Sequence, residues 1–475
     1  MKSVFVSGNF NVVHPGHLRL LRFAREVGDK LVVGVWSDRC AGEASYVPES
    51  LRLEGVRANG WVDEAFLVDT PIDEVIAQLR PDVVVKGKEH EKSENPEKAV
   101  LDTYGGELLF SSGEVTFSSV DLIKKHIKET DSHAIEFPAE FAQRHSVSKE
   151  GLLDIVRRFA GLKVAVVGDL IVDDYVTCEP LGMSQEDPSI VVTPLDSQKF
   201  LGGAGIVAAH ARGLGGEVSF FSVSGEDGAR DFAISELEKN GIAPSVFVDA
   251  SRPTTLKQRM RADGKTLLRV SHLHQGSISS ELQDQIRVGM SDALANADVL
   301  IFSDFNYGCL PQDLINLLIE KAEENKVILA ADSQSSSQFG DVARFGGMHL
   351  LTPTEREARL SLRNHEDGLA VLAEKLCTLA RAQCLFLKLG AEGMIVYAEE
   401  PSGEKRTDRI PALNPYPRDV AGAGDSLLVV SVMALAVGAS PWEAACLGSL
   451  AGAIQVGRVG NTPLRKQELI EELSA

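Results

Sequence analysis

The sequence predicts an α/β protein of two domains, each built on a parallel β-sheet covered by helices. The chain has 475 residues, which is more than one average domain holds. Apolar strand-like segments alternate with helix-like segments in two separate series, one over residues 1–130 and one over 161–475. Such alternation is typical of parallel sheets. The more polar residues 131–160 are predicted as a linker followed by a helix.

The first series has clear strand and helix patterns. The runs "SVFVSG", "KLVVGVWSD", "DVVVKG" and "GGELLF" have strand length and composition, whereas "HLRLLRFAREVG", "IDEVIAQL" and "DLIKKHIKE" have helical spacing. In the first of these helices Leu20, Phe23, Ala24 and Val27 repeat at i, i+3, i+4 and i+7, which predicts one buried face. Pro15 suits the start of this helix because its missing N–H would have no partner there.

The second series begins at "KVAVVGDLIVDDYV" and ends with a long apolar helix after Gly424. Between them lie "DVLIFSDF", "KVILAADS", "HLLTPTEREA" and "CLFLKLGAEGMIVY", which read as further strands and helices. The segments "SIVVTPLDSQKFLGG" and "TTLKQRMRADGKTLLRVS" are predicted as β-rich insertions that form a small sheet, or lid.

Charge and cysteine usage narrow the classes of partner. A formal net charge of −20 disfavours binding to nucleic acid or to an anionic membrane, although local basic pockets for phosphates remain compatible with it. No apolar run is long enough for a membrane span, and the N-terminus lacks the order of a signal peptide. The six scattered cysteines form no C-x-x-C pair and are predicted to be reduced thiols of a cytoplasmic protein.

Two histidines stand where the first loop turns into a helix, in "VSGNFNVVHPGH". His14 and His17 flank the predicted helix N-terminus, where free N–H groups and the helix dipole attract anions. Imidazole donors at this position suit a triphosphate. The alternative interpretation is a pair of loop histidines with structural hydrogen bonds.

This stretch resembles the (G)-x-F-(D)-x-x-H-x-G-H signature of the nucleotidyltransferase superfamily, which includes the cytidylyltransferases. The resemblance implies a Rossmann-like domain in which His14 and His17 are catalytic. It places four residues of the loop at the nucleotide: Gly8, Asn9, Phe10 and Asn11. The reaction implied is attack by a phosphate oxygen on the α-phosphorus of a nucleoside triphosphate, with pyrophosphate leaving. Positioning and charge neutralisation, with Mg²⁺, do most of the work in such a reaction.

Two later segments resemble further motifs of the same superfamily. "VVVKGKEH" at 83–90 implies Lys86 near the nucleotide, and "TFSSVDLIKK" at 116–125 implies Ser118 and Ser119 facing phosphates. The sequence departs from the pattern at Asn11, where the family commonly has Asp. The loop that holds Arg39 and Arg52 also lacks an expected lysine.

A glycine-rich turn with one carboxylate marks the second half, in "VAGAGDSLLVV". Gly422 and Gly424 would let backbone N–H groups converge on an anion at a helix N-terminus. Asp425 would stand beside that anion and accept a proton from a sugar hydroxyl that attacks a γ-phosphate. The alternative is that Asp425 merely caps the helix.

The second half resembles the ribokinase (PfkB) family of sugar kinases over about residues 160–470. The resemblance implies an α/β/α domain with a β lid, ATP and Mg²⁺ as cofactors, and Asp425 as catalytic base. Sugar-binding positions would be Asp173 in "GDLIVDDYV", Gly202 and Gly203 in "FLGGAGIVAAHARGLGG", and Asp304 in "SDFNYG"; Glu357 in "LLTPTEREA" would lie near the metal. Positions at the nucleotide and its phosphates would be Lys388, Gly390, Gly393, Ala421, Gly422, Ala423 and Gly424.

Three segments, "MSQEDPSIVV", "PTTLKQRMRADGKTLLRVS" and "GRVGNTPL", resemble the heptose-phosphate kinase branch of that family. There Lys257, Arg259 and Arg269 would meet an anionic sugar phosphate; the alternative is an ordinary charged strand face. Departures from the family patterns are Ile206 and Thr354 in place of asparagines, and Gly182 in place of an arginine.

Both halves together resemble the bifunctional enzymes of ADP-heptose synthesis, with the domain order reversed. The sequence therefore predicts a sugar-phosphate kinase joined to a sugar-1-phosphate nucleotidyltransferase, which makes a nucleotide-activated sugar for cell-envelope lipopolysaccharide. One alternative is that only one half is active and the other is a scaffold. Another is a non-enzymatic sensor of nucleotides or sugar phosphates. Kinases of this family often pair through the lid, which implies a possible homodimer.

Overall fold

The computed structural model describes residues 2–11, 13, 15–42, 45–87, 95–111, 135–184, 186–187, 189–262, 265–334, 341–400 and 403–474. His14 and the segment 116–125, with Ser118 and Ser119, lie outside these residues. The chain divides into two compact units, Met1–Asp131 and Ser132–Ala475, called unit 1 and unit 2 below.

Within the described part of unit 1, one parallel sheet has the strand order β3-β2-β1-β4-β5. Its strands are β1 (Ser3–Gly8), β2 (Lys30–Trp36), β3 (Glu64–Val68), β4 (Val83–Gly87) and β5 (Glu107–Ser111). Its helices are Pro15–Val27, Asp38–Ala41, Glu49–Arg57, Ile72–Leu79 and Glu97–Asp102. The strand order reverses between β1 and β4. The carboxyl ends of these two strands therefore bound the crevice where ligands bind in open α/β sheets.

Both faces of this sheet are buried, which explains why its strands are continuous apolar runs. On one face Val4 and Val6 pack with Leu21 and Ala24 of the first helix. On the other face Phe5 packs in a second cluster with residues that include Ile72 and Ile76.

In the part of unit 2 that the structure describes, the main sheet has the order β10-β9-β6-β13-β14-β15-β16-β17-β18. All its neighbours pair in parallel up to β16, and β17 and β18 are added antiparallel. The strands are β6 (Lys163–Gly168), β9 (Glu217–Ser224), β10 (Pro244–Val248), β13 (Val299–Asp304), β14 (Ile328–Ser333), β15 (Leu350–Leu351), β16 (Cys384–Lys388), β17 (Met394–Glu399) and β18 (Lys405–Ile410). The helices are Ala139–Arg144, Lys149–Arg157, Ala204–Gly213, Gly228–Lys239, Ser280–Leu294, Gln312–Glu324, Glu355–Leu362, Leu369–Ala380, Ala423–Ala436, Pro441–Val456 and Lys466–Ser474.

The β-rich insertions form a separate sheet, as the sequence predicts. Its order is β12-β11-β7-β8, from strands β7 (Leu170–Met183), β8 (Ile190–Gly203), β11 (Thr255–Ala262) and β12 (Lys265–His272). This sheet is called the lid below. Because β7 follows directly from β6 and β8 leads directly into the helix Ala204–Gly213, the base of the lid is fixed to the main sheet.

The segment predicted as a linker and helix packs, from residue 135 onward, within unit 2. Phe141, Leu152, Ile155 and Phe159 lie in the same core cluster as the helices Ala423–Ala436 and Pro441–Val456. The latter two helices are apolar on all sides, as is typical of helices buried in a core. Among the described residues, no helix combines the length and apolar character needed to cross a membrane.

Candidate active sites

The turn before the helix Ala423–Ala436 has the glycines that its geometry requires. Gly422 has φ +75° and precedes the helix. A Cβ on Gly422 would lie 2.2 Å from Asn461 Oδ1, and one on Gly424 would lie 3.0 Å from Lys388 Nζ. Side chains at either position would therefore displace Asn461 or Lys388. The turn 421–424, called the anion-hole turn below, lies at the N-terminus of this helix, where free backbone N–H groups attract anions; anion binding by the turn stays a prediction.

Asp425 follows in the first turn of this helix and is only 5% exposed. Burial raises the pKa of its carboxyl group to about 7, with a further rise from Asp332 and an opposing effect of Lys388. A carboxyl group with a pKa near neutrality is suited to general base catalysis at physiological pH.

Lys388 and Asp332 form a buried ion pair beside Asp425. Asp332 lies near the carboxyl end of β14 and Lys388 at the end of β16, and Lys388 Nζ is 2.8 Å from Asp332 Oδ2. Burial alone would lower the pKa of Lys388, but the Asp332 and Glu357 carboxylates outweigh it and raise that pKa. Lys388 is therefore a fixed cation at the anion-hole turn. The sequence analysis missed Asp332, although the carboxyl ends of nearby parallel strands are expected to converge.

Glu357 and Asp332 are the residues that fit a metal ion. Glu357 is buried and forms a capping box with Thr354, in which Glu357 Oε2 accepts a hydrogen bond from Thr354 N at 2.7 Å. Burial raises the pKa of Glu357, and Lys388 opposes this shift. Asp332 Oδ1 is buried without a hydrogen-bond partner. No group of three potential ligand residues occurs among the described residues. The unpartnered Asp332 Oδ1 and the neighbouring Glu357 carboxylate fit Mg²⁺, which commonly uses one or two carboxylates together with substrate phosphates; metal binding here stays a prediction.

Asp173 lies on β7, on the lid side of the site. Its Oδ2 accepts from Asn461 Nδ2 at 3.2 Å, and its Oδ1 is 3.4 Å from Arg259 Nη2. A Cβ on Gly202 of the neighbouring strand would lie 2.5 Å from Asp173 Oδ2, so this glycine leaves room for the carboxylate. Burial raises the pKa of Asp173, against the effects of Arg259 and Lys257.

Beyond Asp173 the lid carries a row of cations. Lys257, Arg259 and Arg261 alternate along β11 and so point to one face. The Lys257 Nζ atom lies 4.5 Å from the centroid of the Phe305 ring. A cavity of about 230 Å³ follows, lined by Tyr175, Arg259, Arg261, Thr266, Arg269, Pro417, Arg418, Asp419 and Val420. It is called the arginine-lined cavity below. It includes the predicted Arg259 and Arg269, and also Arg261 and Arg418, which the sequence analysis missed.

Other predicted residues of unit 2 have evident structural partners. Asp304 is buried, and its Oδ2 accepts from Arg344 Nη2 at 2.7 Å and from Ser333 Oγ at 2.8 Å. Gly203 has φ +54°, and a Cβ there would lie 2.3 Å from the Asp169 carbonyl oxygen. A Cβ on Gly393 would lie 2.1 Å from the Ile410 carbonyl oxygen. Gly390, unlike Gly203 and Gly393, faces open space: together with Lys388 it lines an open cavity of about 500 Å³.

In unit 1 the described residues 9–11, which follow β1, pack close to the first helix. Phe10 is buried with φ +48°, and its ring centroid lies 4.8 Å from that of His17. A Cβ on Gly8 would lie 3.2 Å from the Phe10 ring. His17 stands in the first turn of the helix Pro15–Val27. This histidine therefore lies at the crevice between β1 and β4.

Arg52 joins three segments around this loop and is 1% exposed. Its guanidinium donates to the carbonyl oxygens of Asn9 and Val47, each at 2.7 Å, and to Asp38 Oδ1 at 2.6 Å. Hydrogen bonds from Ser45 and Arg52 lower the pKa of Asp38. Nearby, Asn11 Oδ1 accepts from the Tyr46 N–H at 2.9 Å.

Lys86 lies near the end of β4, on the other side of the crevice. Its Nζ pairs with Glu97 Oε1 at 2.8 Å, and Glu97 is buried. The predicted phosphate-binding lysine is thus held by a carboxylate of unit 1.

Comparisons with known proteins divide the chain in the same way. A model of the pfkB family carbohydrate kinases matches residues 162–467, and a cytidylyltransferase-like model matches residues 5–107. Bifunctional protein HldE of Desulfatibacillum aliphaticivorans is 30% identical over 324 residues, which cover 67% of this chain and 64% of that protein. Bifunctional protein HldE of Helicobacter hepaticus is 29% identical over 315 residues, or 65% and 63% of the two chains. The chain thus spans slightly less than two thirds of the length of these relatives.

Solved structures show the same fold for unit 2. Phosphofructokinase-2 from Escherichia coli, in complex with potassium, is similar with a TM-score of 0.53 and 15% identity, over 66% of this chain and 98% of that chain. Ribokinase from Thermotoga maritima is similar with a TM-score of 0.51 and 21% identity, over 66% and 100% of the two chains.

Proposed function

Since the chain belongs to the pfkB family of carbohydrate kinases and carries a cytidylyltransferase-like domain ahead of the kinase domain, we propose that it is a bifunctional enzyme. Unit 2 phosphorylates a sugar phosphate with ATP, and unit 1 joins a sugar 1-phosphate to a nucleotide. The observation that carries the kinase half of this proposal is the buried Asp425 carboxyl group in the first helical turn after the anion-hole turn, where burial raises its pKa; the transferase half rests on the cytidylyltransferase-like match.

In the kinase step a sugar hydroxyl oxygen attacks the γ-phosphorus of ATP. The bond to the β-phosphate oxygen breaks, ADP leaves, and the hydroxyl proton passes to the Asp425 carboxylate. The N–H groups of residues 422–424 in the anion-hole turn and Lys388 neutralise the charge of the phosphoryl group in transfer. Asp173 orients the sugar. Asp332 and Glu357 would hold Mg²⁺, which supplies charge neutralisation at the ATP phosphates when bound.

The substrate of this step is an anionic sugar. Lys257, Arg259 and Arg261 lie on one face of β11 and lead from Asp173 to the arginine-lined cavity. A phosphate at the far end of the sugar would occupy that cavity, because guanidinium groups match phosphate oxygens in pairs. Motifs similar to those of heptose-phosphate kinases make heptose 7-phosphate the first candidate, with a sugar 1,7-bisphosphate as product.

In the transferase step an oxygen of the sugar 1-phosphate attacks the α-phosphorus of a nucleoside triphosphate, and pyrophosphate leaves. His17 and the helix N-terminus bind the triphosphate, and Lys86 contributes charge. With ATP the product is an ADP-sugar. A separate phosphatase reaction would remove the remote phosphate between the two steps.

A turnover screen tests both steps. The full chain, ATP and Mg²⁺ are mixed with a panel of sugar phosphates and sugar 1-phosphates, and ADP and pyrophosphate are measured separately. We expect ADP with heptose 7-phosphate and pyrophosphate with heptose 1-phosphate. Asp425→Ala should abolish only ADP release, and His17→Ala only pyrophosphate release. One product without the other would favour a scaffold role for the silent unit, and neither product would favour a sensor.

The lid also supports a proposal of self-association. Among the described residues of the lid, the exposed apolar side chains are Leu181, Met183, Ile190, Val191, Leu195, Leu267 and Leu268. Patches of this kind commonly mark protein interfaces, and kinases of this family often pair through the lid. Sedimentation of the full chain should show a dimer, and Leu195→Asp should give a monomer; a monomeric wild-type protein would contradict the proposal.

A further inference from the structure

Asp419 joins the anion-hole turn to two other segments of unit 2. Its Oδ1 accepts from the Ala421 N–H at 3.1 Å, within the turn itself. Its Oδ2 accepts from the Gly460 N–H at 3.1 Å and from the Tyr175 hydroxyl at 2.7 Å. One carboxylate thus ties the turn to the loop at Gly460 and to strand β7 of the lid.

Tyr175 is a wall of the arginine-lined cavity. It follows Asp173 by two residues on β7, so the two side chains lie on the same face of the strand. Its ring centroid is 5.2 Å from the Arg259 guanidinium carbon and 5.1 Å from that of Arg261. A tyrosine that needed only to fill this space could be a phenylalanine, but the hydroxyl donates a hydrogen bond to Asp419, a second residue of the cavity wall.

Tyr175 and Asp419 keep the protonation states that their hydrogen bond requires. Burial raises the pKa of Tyr175, and the bond to Asp419 raises it further, so the phenol remains a donor. Burial would raise the pKa of Asp419, but the Tyr175 hydroxyl and the N–H groups of Ala421 and Gly460 outweigh it and lower that pKa. Asp419 therefore stays an ionised acceptor at neutral pH, and such a charge-assisted bond is strong.

A second connection runs in parallel through the loop 460–461. Asn461 donates to Asp173 on β7, and its Oδ1 fills the space beside Gly422. A Cβ on Gly460 would lie 2.3 Å from the ring of Phe200, which packs edge-on against Tyr175. The first two residues of the anion-hole turn, Ala421 and Gly422, are therefore both connected to strand β7 of the lid, one through Asp419 and one through Asn461.

We propose that Tyr175 and Asp419 are positioning residues that couple the presence of an anion in the arginine-lined cavity to the placement of the anion-hole turn. This inference rests on the proposed function, in which the cavity holds the remote phosphate of the substrate. An anion bonded by Arg259 and Arg261 fixes the tyrosine between them, and the hydroxyl then fixes Asp419 and the Ala421 N–H. By linkage, ligands at the cavity and at the turn strengthen each other.

Hydrogen exchange of the full chain tests the coupling without any turnover. The exchange of residues 417–424 is compared in inorganic phosphate and in chloride of equal ionic strength. We expect phosphate to slow this exchange by about fivefold or more in the wild type and in Tyr397→Phe, a control that removes the hydroxyl of a buried tyrosine on β17. In Tyr175→Phe and Asp419→Asn the slowing should be lost. Equal slowing in Tyr175→Phe would mean that phosphate acts directly at the turn. No slowing in the wild type would mean that phosphate in the cavity has no effect on the turn. Either result overturns the proposal.

Steady-state kinetics distinguish the positioning role of Tyr175 from a role in binding the sugar phosphate. With the sugar phosphate found by the turnover screen, Tyr175→Phe should lower kcat roughly tenfold or more, since misplaced groups of this kind lose that much rate, and leave KM for the sugar phosphate nearly unchanged. With an unphosphorylated sugar the variant should lose less rate, relative to the wild type, than it does with the sugar phosphate. A variant that loses rate equally with both sugars would indicate a structural role only. If no sugar phosphate is turned over, the proposed function fails, while the exchange experiment still decides the coupling.

Discussion

Lys388 Nζ lies 2.8 Å from Asp332 Oδ2, and the same ammonium group stands 3.0 Å from where a Cβ of Gly424 would be. One buried cation thus serves both the carboxylates of the site and the anion-hole turn. Burial raises the pKa values of Glu357 and Asp425, Asp332 raises both further, and the opposing effect of Lys388 is too small to cancel the shifts. In the proposed kinase step this excess of acidic side chains would favour additional positive charge, such as Mg²⁺.

The kinase rate should rise with pH through about 7. Asp425 acts as a base only when ionised, and its pKa is raised to about 7 by burial and by Asp332. Below that pH, kcat should fall about tenfold per pH unit. The measurement is ADP release against pH at saturating substrates. A rate independent of pH between 5 and 8 would contradict the role of Asp425 as base.

Asp425 should also make unit 2 less stable as the pH rises. Its pKa is higher in the folded chain than the ordinary value of 3.8, so the folded state holds a proton that the unfolded state has lost. The stability is complete below that ordinary value and falls as the pH rises towards about 7, by at most roughly 4 kcal/mol. The side chain in Asp425→Asn does not titrate, so this variant should lack the pH-dependent loss of stability. Thermal unfolding should show that the melting temperature of the variant, relative to wild type, increases between pH 5 and pH 8; a constant difference would argue against the raised pKa.

Lys388→Met should move the pH profile of the kinase upward. Lys388 lowers the pKa of Asp425, so its removal should raise that pKa and shift the rise in rate to higher pH. Breaking a buried ion pair should also cost about 3–5 kcal/mol of stability. The control is Lys375→Met, which removes an exposed lysine paired with Asp367. A profile with an unchanged midpoint would show that Lys388 does not act on Asp425.

Local sequence patterns predicted much of the fold. The run "SVFVSG" coincides with β1, "KLVVGVWSD" contains β2 and extends two residues beyond it, and the predicted lid is confirmed as a separate sheet. The helix Glu49–Arg57 and the strand Glu64–Val68 were not predicted. The helix has only two buried residues, Arg52 and Val56, so a hydrophobic pattern does not mark it. The strand starts at an exposed Glu64 and has only five residues.

The chemistry-bearing motifs led to Asp425, Lys388 and Glu357, and the structure brings them together around Asp332. Their roles remain predictions. Asp332 was missed because it ends an apolar strand and belongs to no glycine-rich motif. Asn461 was missed because its partner, Asp173, lies 288 residues away in the chain. Such pairings depend on the order of strands in the sheet, which no local pattern specifies.

Arg418→Ala should weaken binding of the sugar phosphate. Arg418 lines the cavity opposite the lid arginines, and loss of one guanidinium should raise KM for the sugar phosphate about tenfold or more, since hydrogen bonds to charged groups contribute about 1.5–3 kcal/mol each. KM for ATP should not change. The control is Arg406→Ala, which removes an exposed arginine near Glu400. Equal effects on both KM values would place Arg418 outside the sugar-phosphate site.

Arg52→Lys should impair unit 1 while sparing unit 2. The guanidinium of Arg52 makes three hydrogen bonds, to Asn9, Val47 and Asp38, from a fully buried position. An ammonium group cannot reproduce this fork geometry, so the loop that follows β1 should lose its support and unit 1 should lose about 3 kcal/mol of stability. Pyrophosphate release should fall at least about tenfold, whereas ADP release should match the wild type. The matched control is Arg22→Lys, which changes an exposed arginine paired with Glu26. Normal pyrophosphate release by Arg52→Lys would show that the loop keeps its shape without the guanidinium, and that Arg52 does not support the nucleotide site.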